Sequence, residues 1–352
     1  MRPRKATRLI HIGNVPVGGK NPVSVQSMTK TDTRDVKATL RQIRALKKAG
    51  CDMIRMAVPD MEAAKALGPI KKGSPIPVIA DIHFDWRLAL EAVRQGVDGL
   101  RINPGNIGAG WKLKEVVLAL KDREIPVRVG VNAGSLEKRL LQKYGRPSAE
   151  ALVESALTET ELLERLGYGL IKVSLKASNV PTTVEAYRLF ARKADYPLHI
   201  GISEAGPPAV GIVKSAVGLG VLLEEGIGDT MRVSLTGNPA QEVRTARQIL
   251  QSLGLEQRGA EIISCPTCGR TTIDIQGLAS QVEKRLRGVQ KPVKVAVMGC
   301  VVNGPGEARE ADFGVTGANG TGILFRKGKV LRTVREEALL DELMKEIGLW
   351  KP

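Results

Sequence analysis

The sequence predicts an N-terminal (β/α)8 barrel followed by a small α/β domain. Eight short runs rich in Val and Ile alternate with helix-like segments. Alternation of that kind gives a parallel sheet, and eight units suffice to close it into a barrel. The alternation stops at a polar, glycine-bounded stretch, Gly254 to Gly259, which marks the boundary.

The predicted barrel strands are Val23–Met28, Met53–Val58, Val78–His83, Gly99–Asn103, Val127–Asn132, Leu170–Leu175, Leu198–Ser203 and Met231–Leu235. Helical patterns fill Asp35–Ala49, Asp85–Gln95, Lys112–Lys121, Ala149–Leu166, Thr182–Lys193 and, last, Ala240–Leu253. Pro181 and Pro239 suit a first helical turn, and Ser148 and Asp85 suit N-caps. Gly50, Gly96 and Gly167 fall where helices end in a left-handed residue. An open doubly wound sheet is the competing architecture. It lacks its usual nucleotide signatures here, since no G-x-G-x-x-G follows the first strand and there is no P-loop. The barrel is assigned residues 1–254 and the second domain 260–352. The latter reads as a strand (Glu261–Ser264), a helix (Ile275–Arg287), a strand (Val293–Met298), a glycine-rich loop (Gly299–Gly306), a hairpin around Gly328 and a final helix, Arg335–Ile347.

The chain has 352 residues, 43% hydrophobic and 26% charged, an ordinary globular balance. No apolar stretch is long enough for a membrane span, and Met1 to Val15 has no signal-peptide core, so a cytoplasmic location is expected. Lys and Arg outnumber Asp and Glu 53 to 37, giving +16. Such a charge attracts anions: nucleic acid, acidic lipid or phosphorylated metabolites. Aromatics are only 3%, which argues against a nucleic-acid stacking surface.

Chemistry in such barrels sits at the C-terminal ends of the strands. Polar residues collect there: Gln26, Ser27 and Met28; Arg55; Asp81 and His83; Arg101 and Asn103; Arg128 and Asn132; Lys172, Ser174 and Lys176; Ser203 and Glu204; Arg232, Ser234 and Thr236. Singly, each reads equally well as a solvated loop residue. Together they bring four arginines and at least one lysine to one mouth with few acids. Uncompensated cations need water or an anion, and arginine's fork matches phosphate oxygens. A diphosphate-like ligand is expected. His11 and His199 read as structural, whereas His83 stands beside Asp81. Glu204, if desolvated by substrate, is a candidate proton donor; its bland role is a salt bridge to the arginines.

Four cysteines are present. Cys51 begins an apolar run and reads as a core thiol. Cys265-Pro-Thr-Cys268 places two thiolates on one turn, and Cys300 lies in a glycine-rich loop ending at Glu307. Three cysteines with no histidine nearby fit zinc poorly, because a structural zinc wants four N or S ligands. Soft thiolates and close backbone amides suit an iron–sulfur cluster. A fourth ligand must then be a non-cysteine side chain or the substrate, and Glu307 is the nearest candidate.

Val23-Ser-Val-Gln-Ser-Met-Thr29, Gly201-Ile-Ser-Glu-Ala-Gly206, Cys265-Pro-Thr-Cys-Gly-Arg270 and Asn303-Gly-Pro-Gly-Glu307 together resemble the 4-hydroxy-3-methylbut-2-enyl diphosphate synthase family, in its compact bacterial form. The resemblance spans the chain. It implies a [4Fe–4S] cluster on Cys265, Cys268, Cys300 and, weakly, Glu307. It implies reductive ring opening of 2-C-methyl-D-erythritol 2,4-cyclodiphosphate, on the methylerythritol phosphate route to isoprenoids. Arg55, Arg101, Arg128, Asn132, Lys176, Arg232 and Ser234 would clamp the substrate, with Asp81, His83 and Ser203 beside them, and Glu204 would donate a proton. Ferredoxin or flavodoxin would supply electrons. The rivals are a basic RNA-binding or RNA-modifying protein with a zinc-stabilised tail, and a pterin-binding barrel methyltransferase, which leaves the cysteines unexplained.

A homodimer is also expected. The last barrel helix descends ~21 Å away from the mouth at ~1.5 Å per residue. The linker Gly254–Ala260 reaches at most ~24 Å when fully extended, barely enough to climb back. An antiparallel pair sets each small domain beside the other chain's mouth.

Overall fold

The structure, a computed structural model, describes residues 2–349 except 270, 272, 288, 290, 301–307 and 319. The chain divides into two units, Met1–Leu255 and Glu256–Pro352.

The first unit begins with a hairpin, β1 (Ile10–Ile12) and β2 (Val15–Val17), whose apolar side chains pack on Met53 and Ile79 at the starts of two barrel strands and so floor the barrel. The barrel strands are β3 (Ser24–Met28), β4 (Met53–Ala57), β5 (Val78–Asp81), β6 (Gly99–Ile102), β7 (Val127–Asn132), β8 (Ile171–Lys176), β9 (His199–Ile200) and β10 (Thr230–Met231). All neighbours are parallel, in the order β8-β7-β6-β5-β4-β3-β10-β9. A bridge between Val173 and Leu198 brings the two ends together, so the expected (β/α)8 barrel is what forms.

Helices α1 (Val36–Lys48), α2 (Met61–Gly73), α3 (Trp86–Arg94), α4 (Gly110–Arg123), α5 (Lys138–Tyr144), α6 (Ala149–Arg165), α7 (Val180–Lys193), α8 (Pro208–Glu224) and α9 (Pro239–Ser252) accompany the strands. Ser148 caps α6 and Asp85 caps α3 with their side-chain oxygens, each offsetting an otherwise orphaned amide. Gly50, Gly96 and Gly167 carry φ of 104°, 79° and 69°, the left-handed exits expected of them.

The last two strands are shorter than the sequence suggests. The ladder ends at Ile200 and Met231, and only a bridge from Gly206 to Leu235 persists beyond it. Glu204 has φ of 50° and Gly206 of 110°, and a left-handed residue cannot continue a pleat. The sequence pattern set no bounds for α2 and α8: Pro69 interrupts the first, and the second is too uniformly apolar to show a face.

The second unit is a five-stranded sheet in sequential order, β11 (Ala260–Ser264), β12 (Val293–Met298), β13 (Phe313–Ala318), β14 (Thr321–Arg326) and β15 (Lys329–Arg335), the first three parallel and the rest antiparallel. Helices α10 (Ile275–Leu286) and α11 (Leu339–Leu349) bury Val282, Leu286, Leu339 and Leu343 on one face against Val295, Val297, Phe313 and Leu324. Fully burying each such side chain is worth roughly 1.5–3 kcal/mol. Arg335 belongs to β15 rather than to the final helix, because strand pairing to Thr321 holds it. No helix among the described residues is long and apolar enough to cross a membrane.

Candidate active site

Register places the charged residues before any side chain is considered. Asp81 pairs with Arg101, Arg101 with Arg128, Arg128 with Lys172, and Asn132 with Lys176. The strands thus carry a row of cations round the inner wall. A cleft of about 780 Å³ opens above it, and its lining includes Arg55, Asp81, His83, Arg101, Arg128, Asn132, Lys176, Ser203, Glu204, Arg232 and Ser234. The residues expected to clamp the substrate, those expected beside them and Glu204 therefore meet in one cleft. Lys172 and Gln26 do not reach it: with Arg128 they line a small cavity one layer below. Inward residues on one strand recur every second position at increasing height, so Lys172 lies deepest and Lys176 nearest the mouth.

The cleft's lining carries five Lys or Arg against two carboxylates, Asp81 and Glu204. Asp81 is the hub of one wall. It receives Arg101 at 3.2 Å, Arg55 at 3.4 Å and His83 at 3.6 Å. Burial alone would raise its pKa, but Arg55, Arg101 and Arg128 together hold the carboxyl below the usual range. On the other wall Glu242 of α9, wholly buried, lies 3.4 Å from Arg232. Met28 turns its sulfur to Arg55 at 3.1 Å and to Arg232 at 3.6 Å.

Arg128 has no such partner. It is buried, and among the described residues its Nε and Nη1 meet no acceptor. Burial, then the fields of Arg55 and Arg101, push its pKa well down. Lys176 is pushed well down by burial and by the same arginines, and Arg55 to about 10, chiefly by burial. A polyanion entering the cleft would reverse all three effects. His83 is exposed, and burial on its inner side keeps it below its ordinary value. Glu204 is exposed on the rim with its backbone at φ of 50°. Left-handed non-glycine residues concentrate at functional sites because the strain needs a surrounding structure to hold it. His199 is buried and bonds Thr230 Oγ1 at 2.8 Å, a structural role as expected.

The sequence reading missed Glu242 and Asn106. Glu242 sits in the first turn of a helix whose inward face shows only in three dimensions, and Asn106 lies in a loop without periodicity.

In the second unit, the amide of Cys265 donates to Val297 O at 3.1 Å, and Ser264 is paired with Val297. Cys300 follows two residues after β12. These two cysteines thus emerge at the same edge of adjacent parallel strands. Thr271 holds the turn of Cys268: its Oγ1 accepts the Cys268 amide at 3.1 Å and its own amide donates to Cys268 O at 2.9 Å. Cys265 and Cys300 are partly exposed and Cys268 exposed. Among the described residues no three His, Cys, Asp or Glu side chains surround one ion-sized point. Three accessible thiols at one sheet edge fit a soft-metal cluster by donor chemistry. Glu307 lies outside the described residues. Cys51 is fully buried in the barrel, and burial pushes its thiol up to about 12.

Fold and site define a two-domain enzyme with a cation-lined barrel cleft and a small cysteine-bearing domain. The GcpE TIM-barrel domain family matches residues 7–247 and the GcpE protein C-terminal domain family residues 261–348. A 4-hydroxy-3-methylbut-2-en-1-yl diphosphate synthase (flavodoxin) from Geobacter sulfurreducens is 63% identical over 341 residues, 97% of each chain. One from Thermodesulfovibrio yellowstonii is 61% identical over 99% of each. The chain belongs to the 4-hydroxy-3-methylbut-2-en-1-yl diphosphate synthase family, as its motifs implied. Among solved structures, dihydropteroate synthase from Stenotrophomonas maltophilia superposes with a TM-score of 0.52 at 11% identity, covering 70% of this chain and 98% of that one. For 3-dehydroquinate dehydratase from Geobacillus kaustophilus the values are 0.51, 15%, 71% and 98%. Both share the barrel fold. The RNA-binding alternative gains no support.

Proposed function

We propose that this chain carries out the reductive ring opening of 2-C-methyl-D-erythritol 2,4-cyclodiphosphate to 4-hydroxy-3-methylbut-2-enyl diphosphate. The observation that carries this reading is Arg128, buried with unpaired guanidinium nitrogens inside a ring of cations that only a polyanion balances. Arg55, Arg101, Arg128, Lys176 and Arg232 bind the diphosphate. Asp81 fixes the orientation of Arg55 and Arg101, and Asn132, Ser203 and Ser234 offer neutral hydrogen bonds. Seating the diphosphate excludes water from this ring and strengthens every interaction in it. His83, which lines the cleft, would contact the sugar-derived hydroxyls, and Glu204 on the rim would deliver a proton to the departing oxygen. Cys265, Cys268, Cys300 and Glu307 would hold a [4Fe–4S] cluster, which when bound would pass electrons singly from the donor, two for each substrate. Flavodoxin, for which the relatives are named, or ferredoxin would reduce it. Cysteines kept as free thiols are typical of a reducing compartment, which supports a cytoplasmic location. Anaerobic protein given the cyclodiphosphate and reduced flavodoxin should convert it to the linear diphosphate, followed by phosphorus NMR. An intact cluster with no consumption of substrate would sink the assignment.

The same reading carries a homodimer. Helix α8 exposes Val210, Val213, Val217 and Val221 on one stripe, an apolar face that a second copy would cover. Val213→Asp combined with Val217→Asp should halve the sedimenting mass and leave the cluster spectrum unchanged. An unchanged mass would place any dimer contact elsewhere.

A further inference from the structure

Behind the cleft, away from the proposed substrate-binding set, lies a carboxyl that the reaction does not use. Glu159 projects from the middle of α6 and is 3% exposed. Its Oε1 accepts the amide of Gly105 at 3.1 Å. Gly105 belongs to the single turn Pro104–Asn106 that follows β6, and two cleft-lining residues bracket it, Asn103 just before the turn and Asn106 at its end. A side chain at 105 would press on this carboxyl. A Cβ there would stand 2.9 Å from Glu159 Oε1 and 3.5 Å from Asn103 Oδ1. The other carboxyl oxygen, Glu159 Oε2, and Asn103 Oδ1 are both buried without a protein partner.

We propose that Glu159 is a positioning residue for substrate binding, its carboxyl gripping the Pro104–Asn106 turn from behind so that Asn103 and Asn106 face the cleft. This rests on the cleft being the cyclodiphosphate site. The grip works through a neutral acid. A carboxylate here would have one oxygen buried without a donor and would set a negative charge behind a wall built to receive an anion. It would also compete with the substrate for Arg101. Two charged groups face Glu159: Glu137, ahead of α5, and Arg101 on β6. Burial raises the Glu159 carboxyl to about 8, the Gly105 amide lowers it, Glu137 adds a rise, and Arg101 opposes. The sign follows. Below about pH 8 the acid is neutral and the turn is held without added charge. Above that pH the group ionises, and an anionic ligand favours the protonated form, so affinity falls as pH rises. Lys176 and Lys172, whose pKa values burial lowers, can add a pH dependence of their own. Every variant shares it, so the comparison below is between proteins, not between pH values alone.

The test is titration calorimetry of anaerobic holoenzyme with the cyclodiphosphate at pH 7 and pH 9, with steady-state kinetics alongside. Glu159→Ala leaves the Gly105 amide unpaired, a loss that typically weakens an interaction by roughly tenfold. It should raise Kd and KM by about that factor, with kcat and the cluster spectrum little changed. Glu159→Gln mimics the neutral acid. It should bind like the wild type at pH 7 and more tightly than the wild type at pH 9. Gly105→Ala should weaken binding in the manner of Glu159→Ala, by pushing on the same carboxyl. Equal affinities for Glu159→Ala and wild type at pH 7 would overturn the proposal. So would a Glu159→Gln profile that falls between pH 7 and pH 9 as steeply as the wild type's. Should Glu159→Ala fail to fold, the Glu159→Gln profile decides alone. A wild type that does not bind the cyclodiphosphate at pH 7 would instead defeat the substrate assignment, a result separate from any difference between variants.

Discussion

Serine at Cys265, Cys268 or Cys300 is expected to strip most of the bound iron and all reductive turnover, whereas Cys51→Ser keeps both. A serine hydroxyl is a hard oxygen that stays protonated where a thiol ionises, so it replaces a thiolate ligand poorly. The three positions lie at one edge of the second unit's sheet: Cys265 bonded to Val297 of β12, Cys268 on the turn held by Thr271, and Cys300 just past the end of β12. Cys51 differs in every relevant property. It is fully buried beneath α1, donates its thiol to Met53 O at 3.0 Å, and is pushed up to about 12 by burial. It is chemically inert as a ligand, and serine can keep its hydrogen bond. Iron and acid-labile sulfide content, visible absorption and turnover decide the matter. Loss of the cluster in Cys51→Ser with retention in Cys300→Ser would reverse the ligand assignment. Glu307→Ala should lose much more activity than iron, since a carboxylate is the weakest of the four proposed ligands.

How far the sequence foretold these sites depends on what kind of signal each residue leaves. Arg55, Arg101 and Arg128 were legible because a charged residue in an otherwise apolar strand is anomalous wherever it occurs, and the barrel forces such residues into one space. The strand termini of β9 and β10 were not, because Ile202, Val233 and Leu235 are as apolar as strand residues yet leave the ladder, buried by the turns that carry Ser203 and Ser234. Depth was also hidden. Lys172 and Lys176 look equivalent in sequence, and only the register across β7 and β8 shows that the first faces the enclosed cavity and the second the cleft. Glu242 and Glu159 were invisible for a third reason. Acids on amphipathic helices are normally solvated, and nothing local reveals that α9 and α6 turn these two inward. The valines of α8 show the converse: their apolar character does not reveal that the structure leaves Val210, Val213, Val217 and Val221 at the surface.

Arg128→Met is expected to cost substrate affinity tenfold or more while making the free protein more stable. The two effects share one cause. In the unliganded cleft Arg128 is buried, flanked in register by Arg101 and Lys172, and its Nε and Nη1 find no acceptor. A charge in that position is disfavoured by burial and by its neighbours, which is why its pKa is driven well down. Methionine fills similar space without the charge, and replacing buried ionic groups by apolar ones of like volume commonly stabilises by roughly 1–4 kcal/mol. With a diphosphate bound the balance reverses. The guanidinium then makes charge-assisted hydrogen bonds worth ~1.5–3 kcal/mol, equivalent to roughly tenfold to a hundredfold in affinity. Inorganic pyrophosphate should accordingly raise the melting temperature of the wild type more than that of Arg128→Met. Arg128→Lys should recover little, since a single ammonium cannot reproduce the two-pronged contact. Calorimetric Kd and melting temperatures with and without pyrophosphate check both halves. If Arg128→Met melts lower than the wild type and binds the cyclodiphosphate equally well, the arginine is a structural strut and the cationic ring is not the diphosphate site.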